Sequence, residues 1–363
     1  MRKNYIDNVR WICVLLLFPF HAFRVYNIGE NFYIKGAEIQ AASNFLTLLW
    51  PWFMPLLFLL SGVSSAYALE KRTIKGYIKD RFFKLFIPLF FGVLFLVPVQ
   101  TYFAEVFHNN YSGNYFKQYI LFFTKSTDLT GYLGGFTPAH LWFIFYLFIV
   151  SIIALPIIYF YQKSTKKPQV HKIPFPVFLL FFIIPGFSQV ILDIDGKSIG
   201  EYLAWFLLGY FFVSSDEIQN KAQKYRYVLL GLTVSCIIVY TLFGETIYNL
   251  SFILIEILYF IYAWVAILAI IGFGKQYLDF NNYATAYLSQ SSFNIYVLHQ
   301  QWIVITAYFT LMWINNTSLQ MILIIFASIV FTFFTYEVFK RFFITRFMFS
   351  IKKQERAYRD QRS

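Results

Sequence analysis

The chain has 363 residues, 59% hydrophobic and 13% charged, where soluble domains carry about 25% charged. No soluble core of this size hides so much apolar surface, which excludes an ordinary globular protein and leaves lipid as the main solvent of the chain. The net charge of +12 admits either a nucleic-acid footprint or a membrane topology signal, and its placement along the chain decides between them.

Ten apolar runs follow one another, at roughly 9–28, 45–69, 85–107, 139–161, 174–192, 199–214, 227–243, 252–272, 288–312 and 318–339. They predict an all-α integral membrane protein of about ten transmembrane helices with no separate soluble domain. The first run continues past signal-peptide length and carries Arg10 and His21, so it is read as a retained helix. These two residues are eleven positions apart, about three helical turns and about 16 Å of rise on one face. Pro19 frees a backbone carbonyl just before His21, and Arg24 lies one turn beyond it. Ionisable groups inside a span are costly and mark functional sites by default.

The second run holds Ser61 and Gly62, a small-residue patch that serves either close helix packing or close approach of a ligand. The basic segment after it ends in Arg81 and Lys84, one turn apart before Pro88. Two cations at a helix entrance make a phosphate site, and they equally make a plain topology anchor. The outer segment 108–138 is polar and aromatic and too short for its own core. Glu256 near an outer end is expected to snorkel, and Glu337 to pair with Arg341. In the ninth run, His299 falls eleven residues in, at a depth similar to His21, so the two imidazoles meet if their helices are neighbours. The two cysteines, Cys13 and Cys236, lie in apolar runs and imply neither a disulfide framework nor a metal site.

Of the 30 Lys and Arg residues, 25 fall in alternate connecting segments: 1–10, 70–84, 162–173, 215–226, 273–282 and 340–363. The other five are Arg24, Lys35, Lys117, Lys125 and Lys197. Positive charge gathers in cytoplasmic loops, so both termini are placed in the cytoplasm and no nucleic-acid partner is expected. Residues 1–350 form the membrane domain and 351–363 a basic cytoplasmic tail.

The runs YIDNVRWICVLLLFPFHAF, FLLSG, RFFKLFIP, HLWFIFYL and SFNIYVLHQ, in this order and spacing, resemble the acyltransferase 3 family of integral membrane acyltransferases. The run IPLFFGVLFLVPVQTYF followed by PAHLWFIFYL is most similar to its periplasmic-glucan-modifying branch. The resemblance implies a multi-pass protein of the bacterial inner membrane that moves an acyl group, acetyl or succinyl, from cytoplasmic acyl-CoA to an extracytoplasmic or lipid-linked glycan. Acyl-CoA is then a co-substrate, with no tightly bound cofactor, no metal, and membrane lipids as surroundings. The family's histidine falls on His21 and its basic partner on Arg10; its Arg-x-x-Arg motif falls on Arg81 and Lys84, where lysine departs from the pattern and loses the bidentate fork.

On this reading Arg10, Arg81 and Lys84 bind CoA phosphates and His21 is the general base. His299 or Arg24 supplies the oxyanion donor, while Ser61, His140 and Trp142 are further candidates for contacts with acceptor or oxyanion. His108 and His171 lie in loops and are expected to be silent. Two other readings stay open: a secondary transporter or glycan flippase with a midplane polar site, and an unrelated membrane-bound O-acyltransferase fold.

Overall fold

The computed structural model describes residues 3–125, 127–164 and 173–352. His171 and the tail beyond Lys352 lie outside them. The described chain is almost entirely helical: α1 (Asn4–Arg24), α2 (Gln40–Leu69), α3 (Ile74–His108), α4 (Tyr115–Phe122), α5 (Ala139–Lys163), α6 (Phe175–Ser188), α7 (Ile199–Val213), α8 (Asp216–Lys224), α9 (Arg226–Leu250), α10 (Phe252–Tyr277), α11 (Tyr283–Trp313), α12 (Thr317–Phe339) and α13 (Phe343–Met348).

Every apolar run becomes a helix. Seven helices (α1, α2, α3, α5, α9, α10 and α12) are long and apolar enough to cross a membrane. α6 and α7 are apolar but shorter, and α11, at 31 residues, is diluted by Ser, Asn, Gln and His. Those polar residues face inward. Ser291, Ser292, Asn294, His299, Gln300 and Gln301 are all buried, as suits the central helix of a membrane bundle.

The third span starts earlier than its hydropathy suggests. Thr73 caps it by accepting from the Gly76 amide, and the basic segment runs as helix into a wide π turn over Phe82–Phe86. Pro88 and Pro98 each open a further stretch of the same span, where a missing N–H costs nothing. α2 and α7 touch through their backbones: a Cβ at Gly62 would stand 2.0 Å from the Phe206 carbonyl oxygen, and one at Gly209 would stand 2.1 Å from that of Leu59. Gly62 is therefore a packing glycine. At the other extreme, α9 buries only Leu229 and Thr233 and rests mainly on α10.

Where they are described, the basic segments share one end of the bundle. Lys3 pairs with Asp216 and donates to Gln219 Oε1 at 2.5 Å; Asn8 donates to the carbonyls of Leu278 and Phe280 at 2.7 and 2.8 Å. At the opposite end three irregular segments interlock. Tyr33 donates to the Thr130 carbonyl (2.7 Å), the Leu129 amide donates to Asp195 Oδ2 (3.0 Å), and Tyr146 donates to the Lys197 carbonyl (3.0 Å). Residues 25–39, 127–138 and the Asp193–Ser198 hairpin thus close over the ends of α1, α5 and α11 as a cap. Tyr26, Phe32, Tyr33 and Ile34 are buried beneath its surface.

Candidate functional site

α1 and α11 are neighbours, and they bring His21 and His299 together with ring centroids 5.2 Å apart. Each imidazole stands about 25 Å of helical rise from the start of its helix. Because α1 ends at Arg24, His21 lies in its last turn, nearer the capped end than the middle of the span. His140, from the first turn of α5, joins them edge-on to His299, also at 5.2 Å. Three helices far apart in sequence therefore contribute one imidazole each.

Hydrogen bonds set the state of two of the rings. A carbonyl only accepts, so His299 Nδ1 carries a proton that it donates to the Tyr296 carbonyl at 2.5 Å. In the neutral ring, Nε2 is then a lone pair, and it is buried without a partner. His140 donates from Nε2 to the Val297 carbonyl (3.0 Å) and accepts at Nδ1 from Gln100 Nε2 (3.3 Å). Both its nitrogens are committed to holding α5 against α11 and α3. The buried Nδ1 of His21 has no partner either. A pair of unsatisfied imidazole nitrogens in a membrane interior is a costly arrangement, and such groups cluster where chemistry is done. The oxyanion-donor role expected of His299 does not fit its neutral form, whose free nitrogen accepts and does not donate.

His21 and His140 line a narrow cleft of about 40 Å³ under the cap, together with Tyr33, Met54, Thr130, Tyr132, Trp142, Lys197, Tyr296 and Gln300. Trp142, expected as an aromatic contact for the acceptor, is one of these lining residues. Ser61 is not part of this lining; it lies about 10 Å further along α2 than Met54 and donates to its own helix at the Leu57 carbonyl (2.8 Å). Arg24 is turned away to the cap. It pairs with Glu30, donates to the Asn31 carbonyl at 3.2 Å, and lies 5.3–5.8 Å from the ring centres of Phe32, Trp50 and Tyr132. His108, expected to be silent, donates to the Phe32 carbonyl at 2.8 Å and so holds the same cap segment.

At the other end of α1 a second constellation forms. Arg10 donates to Ser64 Oγ (2.6 Å) and pairs with Asp7 (2.9 Å); Arg81 donates to Ser65 Oγ (2.6 Å) and covers the Tyr77 ring. Two guanidinium groups thus converge on consecutive serines of α2. Lys84 does not join them. It is exposed within the π turn and bonded to Asp80 (3.1 Å), which it shares with Arg72.

Sequence reasoning passed over Lys197, Tyr33 and Gln300, and reached Tyr132 only as one of the outer aromatics, the tyrosines of 102–132, suited to stacking on a sugar. Lys197 had a signal, since it is one of the five basic residues outside the alternating pattern. Tyr33 had none, because irregular cap segments carry no periodicity.

Glucans biosynthesis protein C of Salmonella schwarzengrund (strain CVM19633) is 24% identical to this chain over 194 residues, 52% of this chain and 47% of that protein. The chain thus spans about half the length of the curated relative it matches. No solved structure matches it. An acyltransferase-domain match runs from residue 3 to residue 337, through both the paired histidines and the arginine–serine contacts, and the chain therefore belongs to the acyltransferase 3 family of membrane proteins.

Proposed function

We propose that the protein moves an acyl group from acyl-CoA, bound at the basic end of the bundle, to a hydroxyl of an extracytoplasmic glycan held under the cap, with His21 as general base. The observation that carries this reading is the pairing of His21 and His299, each with an unpartnered nitrogen. That pair stands at one end of the α1–α2 seam, while Arg10 on Ser64 and Arg81 on Ser65 stand at the other. About 16 Å of helix separates the two sites, a distance of the order a pantetheine arm spans. The positive-inside pattern supports ten crossings, a cytoplasmic basic end and a bacterial inner membrane location. The printed name of the Salmonella relative supports a glucan as acceptor.

In this mechanism His21 takes the proton of the acceptor hydroxyl as its oxygen attacks the thioester carbonyl. The C–O bond forms, the C–S bond breaks, and the proton passes to the CoA thiolate. As the acceptor docks, the unpartnered Nε2 of His299 takes a hydrogen bond from the His21 ring and sets its productive tautomer, the part the third group of a catalytic triad plays. His140 fixes His299 from the side, and Arg24 and His108 hold the cap.

Purified protein given labelled acetyl-CoA or succinyl-CoA tests the reading. Release of CoA that depends on added glucan, and that is lost in H21A, is expected. Solute uptake into proteoliposomes without CoA consumption would overturn it in favour of transport.

A further inference from the structure

We infer that Lys197 is a further catalytic residue, whose ammonium group stabilises the oxyanion formed during acyl transfer. This rests on the acyltransferase reading above. A tetrahedral adduct places a full negative charge on the former carbonyl oxygen, and a cation or strong donor aimed at that point is usually the largest single source of rate. The two residues expected to fill the role are otherwise occupied: Arg24 is held by Glu30 and Asn31, and neutral His299 presents a lone pair.

Lys197 is built into the cleft. The turn Asp195–Gly196, with φ of +51° and +70°, closes a two-residue hairpin that pairs Ile194 with Lys197. This positive-φ turn matches the natural strand twist and is the favoured connection for so tight a hairpin. Ser198 then caps α7 by accepting from the Glu201 amide, and the Tyr146 hydroxyl holds the Lys197 carbonyl. The side chain is left lying over the Trp142 ring, with Nζ 5.5 Å from its centre, in the same cleft wall as His21.

The carboxylates around Lys197 do not neutralise it. Asp128 accepts from the amides of Thr130 and Gly131, Asp195 from that of Leu129, and Asp193 from that of Gly196. Among the described residues, none of these three forms an ion pair with Lys197, and its ammonium makes no hydrogen bond. A solvated surface lysine needs no partner; one half-buried over Trp142 in the cleft of His21 has shed part of its water and gained no protein acceptor. Burial holds its pKa below the ordinary lysine value, opposed by Asp128, Asp195 and Asp193 and reinforced by Arg24. During the reaction the developing oxyanion is the missing acceptor, and no proton moves to or from Lys197.

The test is kcat and KM of full-length K197M, K197R and H21A protein with acetyl-CoA and glucan, alongside acyl-CoA binding and thermal unfolding in detergent. K197M is expected to lower kcat by about 10²–10³, the usual cost of losing one oxyanion donor, with the KM values for both substrates little changed. K197R is expected to keep much of the rate. Arginine does not lose its proton, so the fall in wild-type rate at high pH should disappear in K197R; this readout survives if K197M fails to fold. A kcat within about three-fold of wild type in folded K197M would overturn the inference, as would a rise in glucan KM alone or an unchanged high-pH limb in K197R. H21A separates the two levels: if it is dead while K197M is active, only the role of Lys197 falls. If both are fully active, the acyltransfer mechanism itself falls.

Discussion

At the scale of single residues, the two ends of α1 make different demands. His21→Ala removes the proposed base without touching Arg10 or Arg81, so acyl-CoA binding should persist while turnover falls by about 10²–10⁴. Isothermal titration with acyl-CoA beside a turnover assay separates the two, and loss of binding in His21→Ala would contradict the division. Arg81→Ala should do the reverse. A charged hydrogen bond is worth about 1.5–3 kcal/mol, so affinity for CoA should drop roughly ten-fold or more. Lys84, exposed and already bonded to Asp80, should matter less than Arg81. Equal losses in the two variants would restore the phosphate pair read from spacing alone. The eleven-residue interval from Arg10 to His21 was legible because a helix keeps its phase. The tautomer of His299 was not, because it depends on where the Tyr296 carbonyl points.

Between elements, the contact of α2 with α7 gives a direct contrast. Gly62→Ala forces a methyl group against the Phe206 carbonyl, whereas Ser61→Ala removes only a hydroxyl bonded within its own helix. Overpacking of this kind costs about 1–3 kcal/mol, so Gly62→Ala should lower the thermal midpoint in detergent while Ser61→Ala stays near wild type in stability and activity. A large activity loss in Ser61→Ala would return that serine to the site. The sequence carried the small-residue signal but not its direction, since either of its two uses needs the same residues. The cap was harder still to read. Its order comes from Arg24 with Glu30, from His108 on Phe32 and from Tyr33 on Thr130, contacts between segments up to 97 positions apart. Glu30→Ala should raise amide hydrogen exchange in residues 25–39 while leaving α1 and α2 protected.

Over the whole molecule, the alternation of charge reappears as segregation. The described parts of the basic segments gather at one end of the bundle, and Asn110 and Asp195 lie at the other. Cysteines introduced at Asn110 and Asp195 should react with an impermeant reagent from outside the cell, and cysteines at Arg72 and Lys221 only after permeabilisation. Labelling of all four from one side would overturn the proposed orientation. Hydropathy and charge made the helical class and its polarity readable. They did not predict which helices are central: α11, diluted by Ser, Asn, Gln and His, packs against α1, α3 and α12, whereas α9 buries only Leu229 and Thr233 and stands at the margin. In lipid, apolar residues are content anywhere, so it is the polar helix that must be surrounded.

The narrowness of the cleft has a consequence for which reaction wins. An activated thioester beside a base is open to attack by water, which is smaller and far more abundant than any sugar. A cleft of about 40 Å³, lined by Tyr33 and Tyr132 under the Arg24–Glu30 pair, has room for only a few waters between donor and base until an acceptor displaces the cap. On the proposed mechanism, fidelity to the sugar then rests on the closed cap as much as on the histidine. Glu30→Ala protein should release CoA in the absence of glucan faster than wild type, turning a transferase partly into a thioesterase; an unchanged background rate would assign water exclusion to some other part of the molecule.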